Sequence, residues 1–323
     1  MDSPTGILDD GAQPGAPTPA RGSHAPALPL LQLIRPYQWV KNLLVGLPLL
    51  LSHRWHDPRN LLYVGLAFVT FSLCASSAYV LNDLRDAEDD RHHPTKRRRP
   101  IAAGSVSRGA ALGVSLALGV FGIAFSALFL PVKFTGMLAA YVVTTLAYSF
   151  WLKRKLLVDV FVLAGLYTLR VLAGGAAIGV DLTPWLLAFC IFFFLSLAFA
   201  KRFAELRRVQ GLAETHVRGR GYQVEDLDVL ATVGPTSGYM AVLVLALYVN
   251  SDLAVQQYRF PWLLWFACPL ILYWVTRVWF LARRGALLED PLLFALKDRT
   301  SLLVAGSIVV LIVVAWGFAP QLR

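Results

Sequence analysis

Residues 60–81 read NLLYVGLAFVTFSLCASSAYVL, and residues 82–90 continue directly as NDLRDAEDD. The first stretch carries no charged side chain and is long enough to cross the roughly 30 Å hydrocarbon core of a bilayer as one α-helix. The second stretch is acidic and begins where such a helix would leave the membrane. Charged residues so close to a membrane are costly and are usually functional. This part of the chain therefore predicts a membrane-spanning fold together with the position of a polar site.

The whole chain has the composition of a membrane protein. Of its 323 residues, 57% are hydrophobic and only 15% are charged, and the mean hydropathy is +0.58. Soluble domains usually contain about a quarter charged residues. We predict an all-α integral membrane protein, a bundle of about nine transmembrane helices. The predicted spans are 37–52, 60–81, 107–130, 134–152, 156–179, 184–200, 229–249, 261–281 and 301–318.

Basic residues are distributed unevenly between the two sides of this bundle. The N-terminal side and the even-numbered connections hold 24 of the 30 Lys and Arg residues, whereas the opposite side holds 5. Because basic loops remain in the cytoplasm, we predict that the N-terminus and the long connections 82–106, 201–228 and 282–300 are cytoplasmic. Topology thus explains the net charge of +10, and no nucleic acid partner is predicted. The sequence indicates a multi-pass protein of the plasma (inner) membrane whose active site faces the cytoplasm.

The first 28 residues differ from the rest of the chain. They are rich in Pro, Gly and Ala and contain no apolar run. Asp9 and Asp10 fall where a signal peptide would need its hydrophobic segment, so a signal peptide is not predicted. We predict a disordered cytosolic tail over 1–28 and a single transmembrane catalytic domain over 29–323.

The acidic run has the spacing of metal ligands on a helix. If the second helix continues past the membrane, Asn82, Asp86 and Asp90 recur at every fourth position and stack on one face, with Asp83 beside them. Carboxylate and amide oxygens suit Mg²⁺, which typically takes one or two carboxylates plus substrate phosphates. We interpret these four residues as metal ligands and the three aspartates as catalytic residues. The alternative is a solvated helix of mixed charge.

Cations that could bind phosphate accompany the acidic run. Lys96, Arg97, Arg98 and Arg99 follow it closely, and acid followed by base at this distance suits a metal–diphosphate complex. Arg170 lies midway along an apolar span, where an arginine costs roughly 2.5–3.5 kcal/mol and should face a polar cavity or a partner. We interpret Arg97, Arg99 and Arg170 as substrate-binding residues. For Arg170, the alternative is a structural ion pair between helices.

The same residues resemble a known family. Asn82, Asp83, Asp86 and Asp90 match the pattern N-D-x-x-D-x-x-x-D, and an Arg-Pro-Ile segment follows at 99–101. Both features are similar to motifs of the UbiA-type membrane prenyltransferase superfamily. The resemblance implies an Mg²⁺-dependent membrane transferase that uses a diphosphate donor.

One departure from the superfamily pattern indicates a particular branch. The superfamily usually has a second motif, D-x-x-x-D, after the sixth helix, but this chain has Lys201 and Glu205 at the acidic positions. The change resembles the polyprenyl-phosphate (decaprenyl-phosphate) phosphoribosyltransferases. The resemblance implies that Lys41, Lys201, Arg202 and Glu205 contact substrate, although a membrane anchor at Lys41 and a basic helix end at 201–205 are the alternatives. The segments that resemble this branch are 34–42, 169–175, 201–206 and 295–299.

The resemblance also implies a reaction. A 5-phosphoribosyl group would pass from phosphoribosyl pyrophosphate to a polyprenyl phosphate, and the product would serve cell wall arabinan biosynthesis. One alternative is prenyl transfer from a prenyl diphosphate to an aromatic acceptor, which the lost second acidic motif disfavours. Another is a transporter or flippase for an anionic lipid, which gives no reason for stacked metal ligands. Assembly into a homo-oligomer is left open.

Overall fold

The computed structural model describes residues 27–92, 96–211, 220–287 and 290–317, except the side chains of residues 27 and 28. Within these ranges every regular element is helical. The predicted disordered tail falls outside the described residues except at its last two positions, so it stays a prediction. The domain boundary predicted at residue 29 also stays a prediction.

Twelve α-helices occupy the described ranges. They are α1 (Ala27–Ile34), α2 (Leu47–Leu51), α3 (Pro58–His92), α4 (Arg108–Phe129), α5 (Val132–Phe150), α6 (Val158–Ala177), α7 (Pro184–Gly211), α8 (Leu227–Val249), α9 (Asp252–Gln257), α10 (Ala267–Arg283), α11 (Pro291–Lys297) and α12 (Arg299–Trp316). Short 3₁₀ segments join several of them. These segments are Pro36–Gly46, Lys96–Arg98, Leu152–Arg154, Val224–Asp226 and Pro261–Phe266.

The prediction of an all-α membrane protein is confirmed. In the described part of the chain, 7 helical segments are long and apolar enough to cross a membrane. Each corresponds to one of the nine predicted spans, while the total of nine and the cytoplasmic N-terminus stay predictions. The seven segments are Pro58–His92, Arg108–Phe129, Val158–Ala177, Pro184–Gly211, Val224–Val249, Pro261–Arg283 and Arg299–Trp316.

The other two predicted spans differ from those seven segments. Residues 37–52 form the 11-residue 3₁₀ segment Pro36–Gly46 followed by the short helix α2. Pro48 has no backbone N–H to donate to the preceding turn, so a regular α-helix cannot continue through it from residue 37. Residues 134–152 correspond to α5, a 19-residue helix. It carries Lys133 and several hydroxyl side chains, which make it less apolar than the seven.

Helix α3 carries the acidic run out of the apolar region. It has 35 residues, and at a rise of 1.5 Å per residue it is about 52 Å long. This length exceeds the roughly 30 Å core of a bilayer by several turns. The predicted continuation of this helix beyond residue 81 is therefore confirmed, and residues 82–92 are its last turns.

Two glycines of α6 let neighbouring backbone approach closely. A Cβ atom added at Gly174 would lie 2.0 Å from the carbonyl oxygen of Val45, and one added at Gly175 would lie 2.6 Å from that of Val180. No side chain fits in the space at Gly174. Because of this approach, the segment Pro36–Gly46 packs directly on α6, and its polar residues reach the centre of the bundle.

An aromatic cluster closes the end of the bundle opposite the acidic run. The ring of His53 lies 5.1 Å, between centroids, from each of Trp55, Tyr258 and Trp316. The residue is 8% exposed. Burial lowers the pKa of His53 to about 4, because the charged imidazolium would lose its hydration.

This burial makes the cluster sensitive to acid. In the unfolded chain His53 takes up a proton near pH 6.5, whereas in the folded protein it does so only near pH 4. Stability is therefore lost as the pH falls between those values. We expect the Tm of the detergent-solubilised protein to fall over this range, and to fall less in His53→Phe. An equal decline in both proteins would contradict this assignment.

Candidate active site

Asn82 and Asp86 form the first polar set on α3. Asn82 Nδ2 donates to Asp86 Oδ2 at 3.1 Å, as expected for residues one helical turn apart. Lys153, from the turn after α5, donates to both carboxylate oxygens of Asp86 at 3.2 and 3.0 Å. Its Nζ also lies 3.5 Å from Asn82 Oδ1. This set offers two neighbouring oxygen ligands and one cation.

Asp83 and Asp90 form the second set, rotated slightly around the helix. Arg99 bridges them, with its Nη1 at 3.1 Å from Asp83 Oδ1 and 2.6 Å from Asp90 Oδ2. Arg35 donates to both oxygens of Asp83 at 2.6 Å. The side chains of the two aspartates are only 3% and 4% exposed. Asp90 therefore shares Arg99 with Asp83, two turns away, and is not in contact with Asn82 or Asp86, with which its spacing had grouped it.

The first set has the chemistry of an Mg²⁺ site. Among the described residues, no group of three or more His, Cys, Asp and Glu side chains is gathered as a ligand set. Mg²⁺ needs fewer protein ligands when substrate phosphates complete its coordination. Asn82 and Asp86 are in contact, and the Asp86 side chain is 25% exposed, so these two residues fit such an ion. Asp83 and Asp90 are engaged by arginines, and their metal roles stay predictions.

The basic run after α3 lies beside the second set. Of the two residues predicted to bind substrate there, Arg99 reaches the aspartates, whereas Arg97 is exposed on the turn Lys96–Arg98. A cavity of about 560 Å³ opens between this turn and α1. Its polar lining is mostly cationic, which suits an anion. The polar residues that line it are Gln32, Arg35, Tyr37, Asp83, Lys96, Arg98 and Arg99.

A separate cluster is centred on Asp290, a residue that no sequence motif had indicated. Lys41 and Lys201 both donate to its Oδ2, at 2.9 and 3.1 Å, and the hydroxyl of Tyr167 donates to Oδ1 at 3.1 Å. Burial favours a higher pKa for Asp290, but the two ammonium groups outweigh it and hold the pKa well below its usual value. The pair Asp290-Pro291, a typical helix start, is the sequence signal that could have drawn attention to this residue.

Arg170 lies in the bundle beside this cluster and has only neutral partners. Its Nε donates to Asn42 Oδ1 at 2.9 Å, and its terminal nitrogens donate to Tyr141 Oη at 2.9 Å and to the Leu166 carbonyl at 2.7 Å. The residue is 4% exposed. No ion pair involves it within the described ranges, so the structural ion pair considered as an alternative is not seen. A buried cation without a counter-ion favours the binding of an anion.

Tyr79 lies between the Asp290 cluster and the arginines that contact the α3 carboxylates. It lies one turn before Asp83 on α3, with the Arg35 guanidinium carbon 5.8 Å from its ring centre. Arg170, Lys201 and Asp290 are all within electrostatic range of its hydroxyl. The Asp290 cluster and the α3 carboxylates therefore border one polar region at the same end of the bundle.

Arg202 and Glu205 belong to a buried ion cluster. Arg202 Nε lies 2.7 Å from Asp159 Oδ2, and the same guanidinium pairs with Glu205. Tyr222 donates to the other oxygen of Asp159 at 2.7 Å. Arg202 is 1% exposed and is enclosed by the two carboxylates. In this arrangement Arg202 ties α7 to the start of α6, and its predicted substrate contact and that of Glu205 stay predictions.

Fold and site define a class of protein: a multi-pass helical membrane protein with carboxylate, amide and cationic side chains gathered at one end of its bundle. The chain belongs to the UbiA prenyltransferase family, whose model matches residues 42–297. The matched region includes the acidic run of α3, Arg170, Lys201 and Asp290. The resemblance stated from the motifs is thereby confirmed, and the protein is a member of a transferase family.

Curated relatives differ in how much of their length this chain spans. An uncharacterized protein y4nM of Sinorhizobium fredii is 37% identical over 86% of this chain and 54% of its own length. Nodulation protein NoeC of Azorhizobium caulinodans is 34% identical over 86% of this chain and 90% of its own. The decaprenyl-phosphate phosphoribosyltransferase of Mycobacterium tuberculosis is 41% identical over 55% of this chain and 60% of its own. The chain thus spans little more than half the length of the S. fredii and M. tuberculosis proteins.

Solved structures share the fold. A UbiA homolog from Archaeoglobus fulgidus, bound to GPP and Mg²⁺, superposes with a TM-score of 0.67 over 90% of this chain and 99% of its own. A digeranylgeranylglyceryl phosphate synthase superposes with a TM-score of 0.63 over 90% of this chain and 98% of its own. The identities are 14% and 16%, so these similarities establish the UbiA membrane fold.

Proposed function

We propose that the protein transfers a 5-phosphoribosyl group from phosphoribosyl pyrophosphate to a polyprenyl phosphate, releasing pyrophosphate. Support comes from the decaprenyl-phosphate phosphoribosyltransferases of M. tuberculosis and Corynebacterium glutamicum, which are 41% and 39% identical over 55% of this chain. The observation that carries the proposal is Lys201. It stands at an acidic position of the second superfamily motif and lies with Lys41 on Asp290, so cations occur where a second set of metal ligands would be expected.

The charges of the two substrates match the cations of the bundle. The donor has a diphosphate and a 5-phosphate, and the acceptor has a third phosphate-bearing group. A prenyl diphosphate and an aromatic acceptor would bring only one diphosphate. Three cationic groups border the polar region, and this favours the phosphoribosyl reaction over prenyl transfer. The groups are Lys153 beside Asp86, then Arg35, Lys96, Arg98 and Arg99 around the cavity next to α1, then Lys41, Lys201 and Arg170.

We assign the donor diphosphate to the first of these groups. Asn82 and Asp86 would hold Mg²⁺, which when bound neutralises charge on the pyrophosphate leaving group. Lys153 would move from Asp86 to the diphosphate oxygens and stabilise the same charge. As the bond between ribose C1 and pyrophosphate breaks, C1 becomes oxocarbenium-like, and an oxygen of the lipid phosphate bonds to it from the opposite face. The lipid phosphate is already anionic, so no general base is required.

We assign the lipid to the centre of the bundle. Its phosphate would bind Arg170, Lys41 and Lys201, while its isoprenoid tail would lie among apolar side chains. A cavity of about 240 Å³ with an almost wholly apolar lining lies toward the opposite end. Its chemistry suits such a tail. Among its lining residues are Leu47, Leu186, Phe189, Leu264, Ile271 and Ile312. The uneven distribution of basic residues supports a polar site that opens to the cytoplasm.

One assay separates the candidate functions. Purified protein with Mg²⁺ is offered labelled phosphoribosyl pyrophosphate with decaprenyl phosphate, or a prenyl diphosphate with 4-hydroxybenzoate. We expect a phosphoribosyl lipid and free pyrophosphate from the first pair only. Turnover with the second pair alone would overturn the proposal in favour of prenyl transfer. Turnover with neither pair would favour transport of an anionic lipid.

A further inference from the structure

Asp290 is a buried carboxylate placed between two ammonium groups from different parts of the fold. We infer that Asp290 is a positioning residue that holds Lys41 and Lys201 side by side as a subsite for the phosphate of the acceptor lipid. The identity of that lipid rests on the proposed function. The geometry of the subsite rests on the contacts of Asp290 alone.

A single carboxylate oxygen of Asp290 accepts hydrogen bonds from both lysines. Lys41 comes from the segment Pro36–Gly46 and Lys201 from α7, yet both donate to Oδ2, at 2.9 and 3.1 Å. The carboxylate is itself held, because Oδ1 accepts from the Tyr167 hydroxyl at 3.1 Å and from the Leu292 N–H at 3.2 Å. The side chains of Asp290, Lys41 and Lys201 are 6%, 10% and 27% exposed. Lys201 is therefore the open side of the subsite.

The charge of this group matches a phosphate monoester. Two ammonium groups and one carboxylate leave one surplus positive charge, and Arg170 adds a second from α6. A phosphate monoester carries about two negative charges at neutral pH, since its second pKa is about 6. Among the described residues, the other titratable or charged groups near Asp290 are Tyr167 on α6, Tyr79 on α3 and, across Tyr79, Arg35. Glu205 lies one turn beyond Lys201 on α7 and is within electrostatic reach of it, but its own partner is Arg202. In the described part of the chain, Asp290 is thus the one carboxylate that pairs with Lys41 or Lys201.

Asp290 has a physical role even when no lipid is bound. Two ammonium groups this close repel each other, and the carboxylate between them offsets that repulsion. If a neutral amide replaced the carboxylate, the uncompensated repulsion would favour loss of a proton from one of the two groups. An arriving phosphate then meets two charged donors already oriented toward one point, so little ordering is needed on binding.

Asp290→Asn isolates the charge of this residue. Asp290 also caps α11, and asparagine caps helices about as well as aspartate, so the start of α11 is retained. Asp298→Asn is the matched control. Asp298 caps α12 through the Ser301 N–H at 2.8 Å and pairs with Arg277 at 2.7 Å, and neither contact involves Lys41 or Lys201.

The measurement is the affinity of each purified protein for farnesyl phosphate at about pH 7.5 and about pH 9.5, where the phosphate stays doubly ionised. As the pH rises between these two values, we expect the affinities of wild type and Asp298→Asn to change by less than about threefold. The affinity of Asp290→Asn should weaken by about tenfold or more over the same rise in pH. Farnesol, which has the same tail without the phosphate, should show no such difference. For each variant, the affinity at the higher pH is divided by its own affinity at the lower pH, so any general loss of structure in that variant cancels.

Two results overturn the inference: no binding of farnesyl phosphate to wild type, or the same pH response in Asp290→Asn as in wild type. If Asp290 served packing alone, the Asp290→Asn substitution would weaken binding equally at both pH values. The measurement uses no phosphoribosyl donor. If the transfer assay is negative but farnesyl phosphate binding shows the expected pH response, the proposed function is wrong and the subsite stands. If phosphoribosyl transfer is observed but the pH response is absent, the subsite is wrong and the proposed function stands.

Discussion

Asp86→Ala should abolish turnover while the protein still inserts and folds. Asp86 is the carboxylate that touches Asn82 and holds Lys153, so its loss removes a metal ligand and the anchor of a phosphate-binding cation together. Loss of metal-based charge stabilisation is worth several kcal/mol, so we expect the rate to fall by about a thousandfold or more. The measurement is the initial rate with phosphoribosyl pyrophosphate and polyprenyl phosphate at saturating Mg²⁺.

Asp89→Ala is the matched control for this variant. Asp89 lies in the same helical run, but its side chain is exposed. We expect this variant to keep near-normal activity, and both variants to elute from size exclusion and to melt like wild type. Near-normal turnover in Asp86→Ala would remove the metal site from the proposed mechanism.

Arg170→Gln should impair the use of the lipid acceptor selectively. The guanidinium is buried, its hydrogen bonds go to Asn42, Tyr141 and a carbonyl, and its charge has no carboxylate partner among the described residues. If it binds the lipid phosphate, its loss removes a charge-assisted contact. We expect kcat/KM for the lipid to fall by about a hundredfold, with little change in KM for phosphoribosyl pyrophosphate. Steady-state kinetics with each substrate varied in turn provide the test.

Two further variants separate binding from packing at this position. Arg170→Lys keeps the charge without the fork of donors, so it should recover part of the lost efficiency. Arg277→Gln is the control, because Arg277 pairs with Asp298 away from the polar region. If Arg170→Gln melts at a lower temperature yet keeps the wild-type kcat/KM for the lipid and for phosphoribosyl pyrophosphate, the residue has a structural role only.

Much of the fold could be predicted because its signals are local. The apolar run 60–81 is long enough to span a bilayer, and the acidic residues after it continue the same helix. The four-residue spacing of Asn82 and Asp86 predicted their contact, which follows from helix geometry alone.

The ion pairs of the site could not be predicted in this way. Lys41 and Asp290 are separated by 249 positions, and Lys201 and Asp290 by 89. Arg99 could have paired with any of the aspartates that precede it, but it bridges Asp83 and Asp90. The motifs likewise gave no sign that Arg202 would be enclosed by Asp159 and Glu205. The pairs of Asp290 with the two lysines, and of Arg202 with Asp159, depend on how helices distant in the chain pack together. Those of Arg99 depend on how the turn after α3 folds back onto that helix.

By itself, the sequence determined the membrane class, the family and the end of the bundle where polar chemistry is concentrated. Apolar length, charge bias and helical spacing are properties of short segments, and they survive whatever the segments pack against. Only the tertiary structure decided which cation meets which carboxylate, because ion pairs form where loops and helix ends converge. It brought Lys153 onto Asp86, kept Arg170 without a counter-ion and placed Asp290 between two lysines.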